Sequence, residues 1–144
     1  MGIPENIKET EDVIKPWIHE SERSNVQNYT FAIQVTIDKK LVGLIAIRQK
    51  EIKHKRAEVW FKINPDHWGK GIASEALERM LEYGFSKLKL HCIEAGCDVG
   101  NIGSIKALER VGMTREERKR KILPLKSGWS DDFMCANLEE YFKL

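Results

Sequence analysis

One short segment restricts the fold of this chain more than any other. Trp68-Gly69-Lys70-Gly71-Ile72-Ala73-Ser74-Glu75-Ala76 stands between a strand-like run and a long helical pattern. Glycines there permit backbone angles and close approaches that side chains forbid. Placed just before a helix, they aim unpaired N–H groups at one point, where the helix dipole adds partial positive charge. The segment reads as an anion seat, with phosphate the fitting occupant. A plain tight turn is the competing reading, and three neighbours weigh against it: Ala57–Ile63 is strand-like, Pro65 punctuates, and the helix that follows is unusually clear. The spacing is not that of a nucleotide P-loop, and no third glycine completes a dinucleotide fingerprint.

That helix is marked by Ala73, Ala76, Leu77, Met80, Leu81, Gly84 and Leu88, which recur at three and four residues and form one apolar stripe. Glu75 and Glu78 suit its positive start. Nearer the N-terminus, Asn6 with Glu9 resembles a capping box ahead of Val13, Ile14, Trp17 and Ile18, with a break at Pro16. Tyr29–Ile37, the polar turn Asp38-Lys39-Lys40 and Leu41–Arg48 predict a β-hairpin. Ala57–Ile63 is a third strand, with Val59, Phe61 and Ile63 on one face and Glu58, Trp60 and Lys62 on the other. His91–Val99 predicts a buried strand. A helix over Ile102–Val111 turns Ile105, Leu108 and Val111 inward and ends at Gly112. Thr114–Ile122 and Phe133–Leu138 are two further strands, joined by a loop holding Pro124, Gly128 and Trp129. This order predicts a mixed sheet with helices on its faces, an α/β or α+β layered domain.

A chain of 144 residues suits one domain with a real core. Lys and Arg total 24 against 22 acids, a balance that argues against a surface built throughout for nucleic acid. No apolar run approaches the roughly 20 residues that span a bilayer, and no secretory signal is visible. Cys92, Cys97 and Cys135 lack metal-ligand spacing, and no metal is expected. Cys92 and Cys97 fall on opposite faces of one strand, which speaks against a bond between them. A reducing cytoplasm is the expected setting.

Taken together, these residues resemble the GNAT superfamily of acyl-CoA N-acyltransferases, most closely its ribosomal-protein N-acetyltransferase branch. The resemblance rests on Ala57-Glu58, Asn64-Pro65, the loop Trp68–Ala76, Tyr83-Gly84-Phe85, the strand His91–Asp98, Asn101-x-x-Ser104 and Leu108-Glu109-Arg110-Val111-Gly112-Met113. It covers about two-thirds of the chain in order and spacing. Where the superfamily usually opens its loop with Gln or Arg, this chain has Trp68, as the ribosomal-protein branch commonly does. The resemblance implies a single GNAT-like domain over residues 1–144. Its sheet would be mixed and mainly antiparallel, with helices on both faces, and without the strand and helix that usually come first.

The resemblance further implies acetyl-CoA as cosubstrate. Backbone amides of Gly69, Lys70, Gly71, Ile72, Ala73 and Ser74, with Trp68, would hold its pyrophosphate. Its pantetheine would lie where the strand bearing Phe61 and Ile63 splays from His91–Val99, against Asn101 and Ser104. Lys70 either screens phosphate charge or is a solvated turn lysine. Asn101 is equally a good helix N-cap and Ser104 an ordinary first-turn residue.

Acetyl transfer to an amine needs a neutral nitrogen, a polarised thioester carbonyl and a protonated leaving sulfur; no covalent enzyme intermediate is required. Glu58 matches the family's motif glutamate and is the candidate base, with a salt-bridged strand glutamate as the alternative. Ser104 is the candidate proton donor to the sulfur. Many relatives use a tyrosine from the penultimate strand, but the nearest matching position here is Cys135. His54, His67 and His91 are read as structural.

The expected acceptor is a primary amine, first a protein N-terminal α-amine such as that of a ribosomal protein. A small amine (polyamine, amino acid or aminoglycoside) is the alternative within enzymes. A CoA-binding regulatory protein without turnover is the alternative outside them. If the chain is complete, Tyr29–Ile37 becomes a sheet edge available to pair between subunits, which predicts a homodimer. The basic run Arg115–Lys121 lacks interleaved aromatic residues and is a weak case for RNA.

Overall fold

Alternating apolar positions between residues 28 and 63 fold as an antiparallel meander of β1 (Asn28–Gln34), β2 (Leu41–Glu51) and β3 (Arg56–Ile63). The structure, a computed structural model, describes residues 28–51, 53–125 and 128–142. The helix expected between Asn6 and Ile18 lies outside them. β1 stops at Gln34 rather than Ile37 because the Val35 N–H turns to the Lys40 carbonyl at 2.9 Å and closes the hairpin early.

After the glycine loop come α1 (Ile72–Ser86), β4 (Cys92–Asp98), α2 (Ile102–Arg110), β5 (Thr114–Leu125) and β6 (Gly128–Leu138). The strands form one sheet in the order β1-β2-β3-β4-β6-β5. β3 and β4 are parallel, and every other neighbouring pair is antiparallel. The sheet is therefore mixed and mainly antiparallel. β4 and β5 consequently run the same way, so both α1 and α2 belong to crossovers between parallel strands. Such crossovers are right-handed, which puts both helices on one face, where they touch each other. Helices on both faces were expected. The described pair share one face, and the segment expected to supply another helix is not among the described residues.

The core lies between that helix pair and the sheet. Ile47, Leu77, Leu81, Leu90, Ile93 and Leu108 are each under 2% exposed. Phe85 joins the stripe of α1 on the buried side, and Ala107 joins Ile105 and Leu108 of α2. Val111 is only half-buried, because it caps α2 in a Schellman pattern. The Gly112 N–H reaches Glu109 O and the Met113 N–H reaches Leu108 O, each at 3.0 Å.

The loop expected around Pro124, Gly128 and Trp129 is instead the end of a long hairpin. Leu123 pairs with Ser130, Pro124 with Trp129 and Leu125 with Gly128. Proline is tolerated there because β5 is an edge strand. The basic run of β5 is tied to its own fold. Arg115 lies 3.9 Å over the Phe133 ring and 3.5 Å from Glu109, Arg118 pairs with Asp131 at 2.6 Å, and Lys119 lies 3.6 Å from Glu117.

Candidate active site

The sheet is split. β3 and β4 pair over three positions alone: Arg56 with Cys92, Ala57 with Ile93 and Glu58 with Glu94. Beyond them β3 stays with β2 as far as Ile63, while β4 stays with β6 as far as Asp98. The facing edges of Val59–Ile63 and Ala95–Asp98 are therefore unpaired with each other. Phe61 and Ile63 are half-buried along this gap. A wedge was expected between these strands, and the register contains one.

Both helices begin beside the open end of the split, because each follows the C-terminal end of one of its two strands. Gly71 is the N-cap of α1 at φ +78°, with no side chain capping the first turn. The leading N–H groups of a helix have no intrahelical partner, so those of Ile72, Ala73 and Ser74 are available to an anion. Gly69 also has positive φ, +76°, and a Cβ at either glycine would meet nothing within 4 Å. The loop thus combines uncapped amides, left-handed backbone and clear space, features that suit an anion at a helix start. Trp68 anchors its start: the indole Nε1–H donates to Ile63 O at 2.8 Å. Lys70 is exposed in the turn. At α2, the Asn101 side-chain oxygen accepts from the Ser104 N–H at 3.1 Å, an N-cap bond, and Ser104 is half-buried. The loop follows β3 and Asn101 follows β4 at the ends that part, and Phe61 and Ile63 lie on the β3 arm; the cavity that Gly71 and Ser74 line is also lined by Arg110, Val111, Gly112, Asn137, Tyr141 and Phe142.

Glu58 lies on the sheet face opposite the helices, at the closed end of the split. Lys50 Nζ holds its carboxylate at 2.7 Å and lies 3.9 Å from Glu94, which Arg56 also pairs. Glu58 is therefore a salt-bridged strand glutamate here. Asp98 and Asp132 continue the same face, opposite each other in the β4–β6 register. Asp98 accepts from the Ser130 hydroxyl.

Asp132 escapes a reading of the sequence, which places it in a loop. Its position follows only by counting strand parity back from Met134, once β6 is known to begin at Gly128. It is 6% exposed, and burial pushes its carboxyl above the usual carboxylate range. The charge of Glu58 adds to that rise, Lys119 opposes it, and Asp98 adds a smaller share.

Cys135, the nearest match expected for a tyrosine acid on the penultimate strand, lies instead on β6, the last described strand, and points into the core at 2% exposure. Burial pushes the neighbouring Cys97 thiol up to about 12, with Cys135 and Asp132 adding to the rise. Neither is a nucleophile at neutral pH. His91 sits 3.6 Å from Glu139 on an exposed edge, and His67 closes the short turn before the loop.

The sequence matches the family model described as an acetyltransferase (GNAT) domain over residues 1–114. The uncharacterized N-acetyltransferase YnaD of Bacillus subtilis (strain 168) is 33% identical over 138 residues, 96% of this chain and 79% of that protein. YdaF of the same organism, provisionally named a ribosomal N-acetyltransferase, is 30% identical over 83 residues, 58% of this chain and 45% of that one. The dodecameric spermidine N-acetyltransferase of Vibrio cholerae superposes with a TM-score of 0.78 at 26% identity, covering 95% of this chain and 77% of that one.

Proposed function

This chain belongs to the GNAT family of N-acetyltransferases, which draw the acetyl group from acetyl-CoA, and from that premise we propose that its acceptor is a primary amine on a small polycation such as a polyamine. The carrying observation is a carboxylate cluster on the sheet face opposite the helices. Glu58, Glu94, Asp98 and Asp132 gather there, with Lys50, Arg56 and Lys119 beside them and Arg48 and Lys62 elsewhere on the same face. Among the described residues Asp98 and Asp132 form no ion pair, and a cationic acceptor complements those two carboxylates. The structural likeness to a spermidine N-acetyltransferase supports the same reading.

In this reading the glycine loop holds the pyrophosphate, and the pantetheine lies in the split against Phe61, Ile63 and Asn101. With Lys50 in place Glu58 adds charge beside the acceptor, and it would accept a proton only if Lys50, which is 40% exposed, swung aside. Ser104 is the proposed proton donor to the departing sulfur. The three free thiols suit a reducing compartment such as the cytoplasm.

A second reading, acetylation of a protein N-terminal α-amine such as that of a ribosomal protein, is favoured by Trp68 at the head of the loop and by the relative YdaF. CoA release measured with spermidine, an alanine-led tripeptide and an aminoglycoside separates the two. Turnover highest with spermidine is expected. Turnover with the tripeptide alone would transfer the assignment to the second reading. No release with any amine would remove the enzymatic reading.

We further propose that β1, the outermost strand on its side of the sheet among the described residues, pairs between subunits, giving at least a homodimer. Sedimentation at high protein concentration should show a species larger than the 16.7 kDa chain. A single species of that mass would rule the pairing out.

A further inference from the structure

We propose that Asp132 is the carboxylate that receives the acceptor's ammonium group and takes its proton. This inference rests on the amine-acetylating reading above and gives it a residue that the family's motifs do not mark.

Three observations carry it. Asp132 is more than nine-tenths buried, yet among the described residues no side chain donates a hydrogen bond to it or forms an ion pair with it. Among the described residues its oxygens are not fully buried orphan atoms, so they keep a solvent contact that a ligand can take over, whereas its neighbours Glu94, Asp98 and Asp131 all have partners. Second, the fold makes room for it. Asp132 lies against Gly96, where a Cβ would come 2.8 Å from its Oδ2. Gly96 belongs to the part of β4 whose edge toward β3 is unpaired, so a ligand entering the split arrives beside this carboxylate. Third, Glu58 is close enough for its charge to act on Asp132, but Lys50 already neutralises Glu58. Asp98 and Asp132 are the members that form no ion pair among the described residues; Asp98 is held by the Ser130 hydroxyl, and Asp132, which feels Lys119 only through its charge, is the one left to receive a donor.

The proton balance is simple. The acceptor's R–NH3+ gives one proton to the Asp132 carboxylate and becomes R–NH2. Its lone pair forms the C–N bond at the thioester carbonyl, and the C–S bond breaks with its electron pair leaving on sulfur. The nitrogen's surplus proton balances the thiolate, giving the amide and CoA–SH, and the proton on Asp132 returns to solvent. A carboxyl whose affinity for protons is raised by burial is better suited to the first transfer than an exposed one.

Glu58 on β3, Asp98 on β4 and Lys119 on β5 act on Asp132 through their charge, while Cys97 and Cys135 lie on the core face of the sheet but within reach of its charge. Of these, the two thiols are held protonated by burial.

The test uses Asp132→Asn, which keeps the shape and removes the charge, beside Gly96→Ala, which crowds the carboxylate without replacing it. With spermidine as probe, kcat/KM for the amine should fall about 10- to 100-fold in Asp132→Asn. KM for acetyl-CoA should stay within about twofold in both variants. The deficit should shrink as pH rises toward the amine's own pKa, because acceptor that is neutral in solution needs no carboxylate. Gly96→Ala should raise the amine KM alone.

Calorimetric binding of spermidine to the wild-type protein and to Asp132→Asn supplies a readout independent of turnover. Binding lost in the variant supports the proposal, even if the wild-type protein fails to turn over and the enzymatic reading falls. Unchanged binding, a deficit that ignores pH, or equal losses toward acetyl-CoA and amine would overturn it.

Discussion

Gly71→Val should weaken acetyl-CoA binding by about 10- to 100-fold while leaving the chain folded. Gly71 holds φ +78° at the head of α1, a region that costs a β-branched residue about 1–2 kcal/mol. The new side chain meets no protein atom within 4 Å at its Cβ, so packing does not oppose it. It projects instead into the space beside the unpaired amides of the first helical turn. Losing one charge-assisted hydrogen bond there accounts for the expected range. Gly71→Asn separates the two causes, since asparagine tolerates left-handed backbone. If the asparagine variant binds nearly as well as wild type, conformation dominates; if it fails equally, the ligand needs the cleared space. Calorimetric titration with acetyl-CoA gives the answer, and wild-type affinity in Gly71→Val would remove the loop from the binding site.

Leu81→Ala should destabilise the fold by about 3 kcal/mol, lowering the melting midpoint by roughly 10 °C. Leu81 is fully buried on α1, within the cluster that also contains Ile47 and Val59 of the sheet and Leu108 of α2. Truncation removes apolar burial and leaves a cavity that a close-packed layer fills only in part. Differential scanning calorimetry or urea unfolding checks it. A loss below about 1 kcal/mol would mean that α1 is not seated on the sheet through this residue.

What the sequence discloses follows from which physical signals are local. Leu77, Met80 and Leu81 repeat at helical spacing, so the buried face of α1 is readable from the periodicity alone. Gly71 and Asn101 announce helix starts by the chemistry of the residue itself. The split between β3 and β4 is not readable that way, because side chains alternate identically whether or not a strand edge is paired. Only its consequence, a cosubstrate arm between two strands, entered through resemblance. Glu58 shows the same limit. Its partner Lys50 is set by the β2–β3 register and an irregularity near Gln49, neither of which leaves a mark in composition. Asp132 was hidden for a third reason. Trp129–Asp132 carries no alternating apolar pattern, so the start of β6 reads as loop and the parity of the aspartate is lost.

The three-residue seam at the closed end of the split has a mechanical consequence. Each unpaired arm is four or five residues long, about 15 Å at the rise of a strand. A pivot of about 10° at the seam would move the far ends by between roughly 2 and 3 Å over that length. Backbone pairing offers little resistance to such a pivot. The brace is on the other side of the lever: α1 packs on β2 and β3, α2 packs on β4, and the two helices touch. The aperture that a donor molecule would meet is thus set by the contact between two helices as well as by the seam.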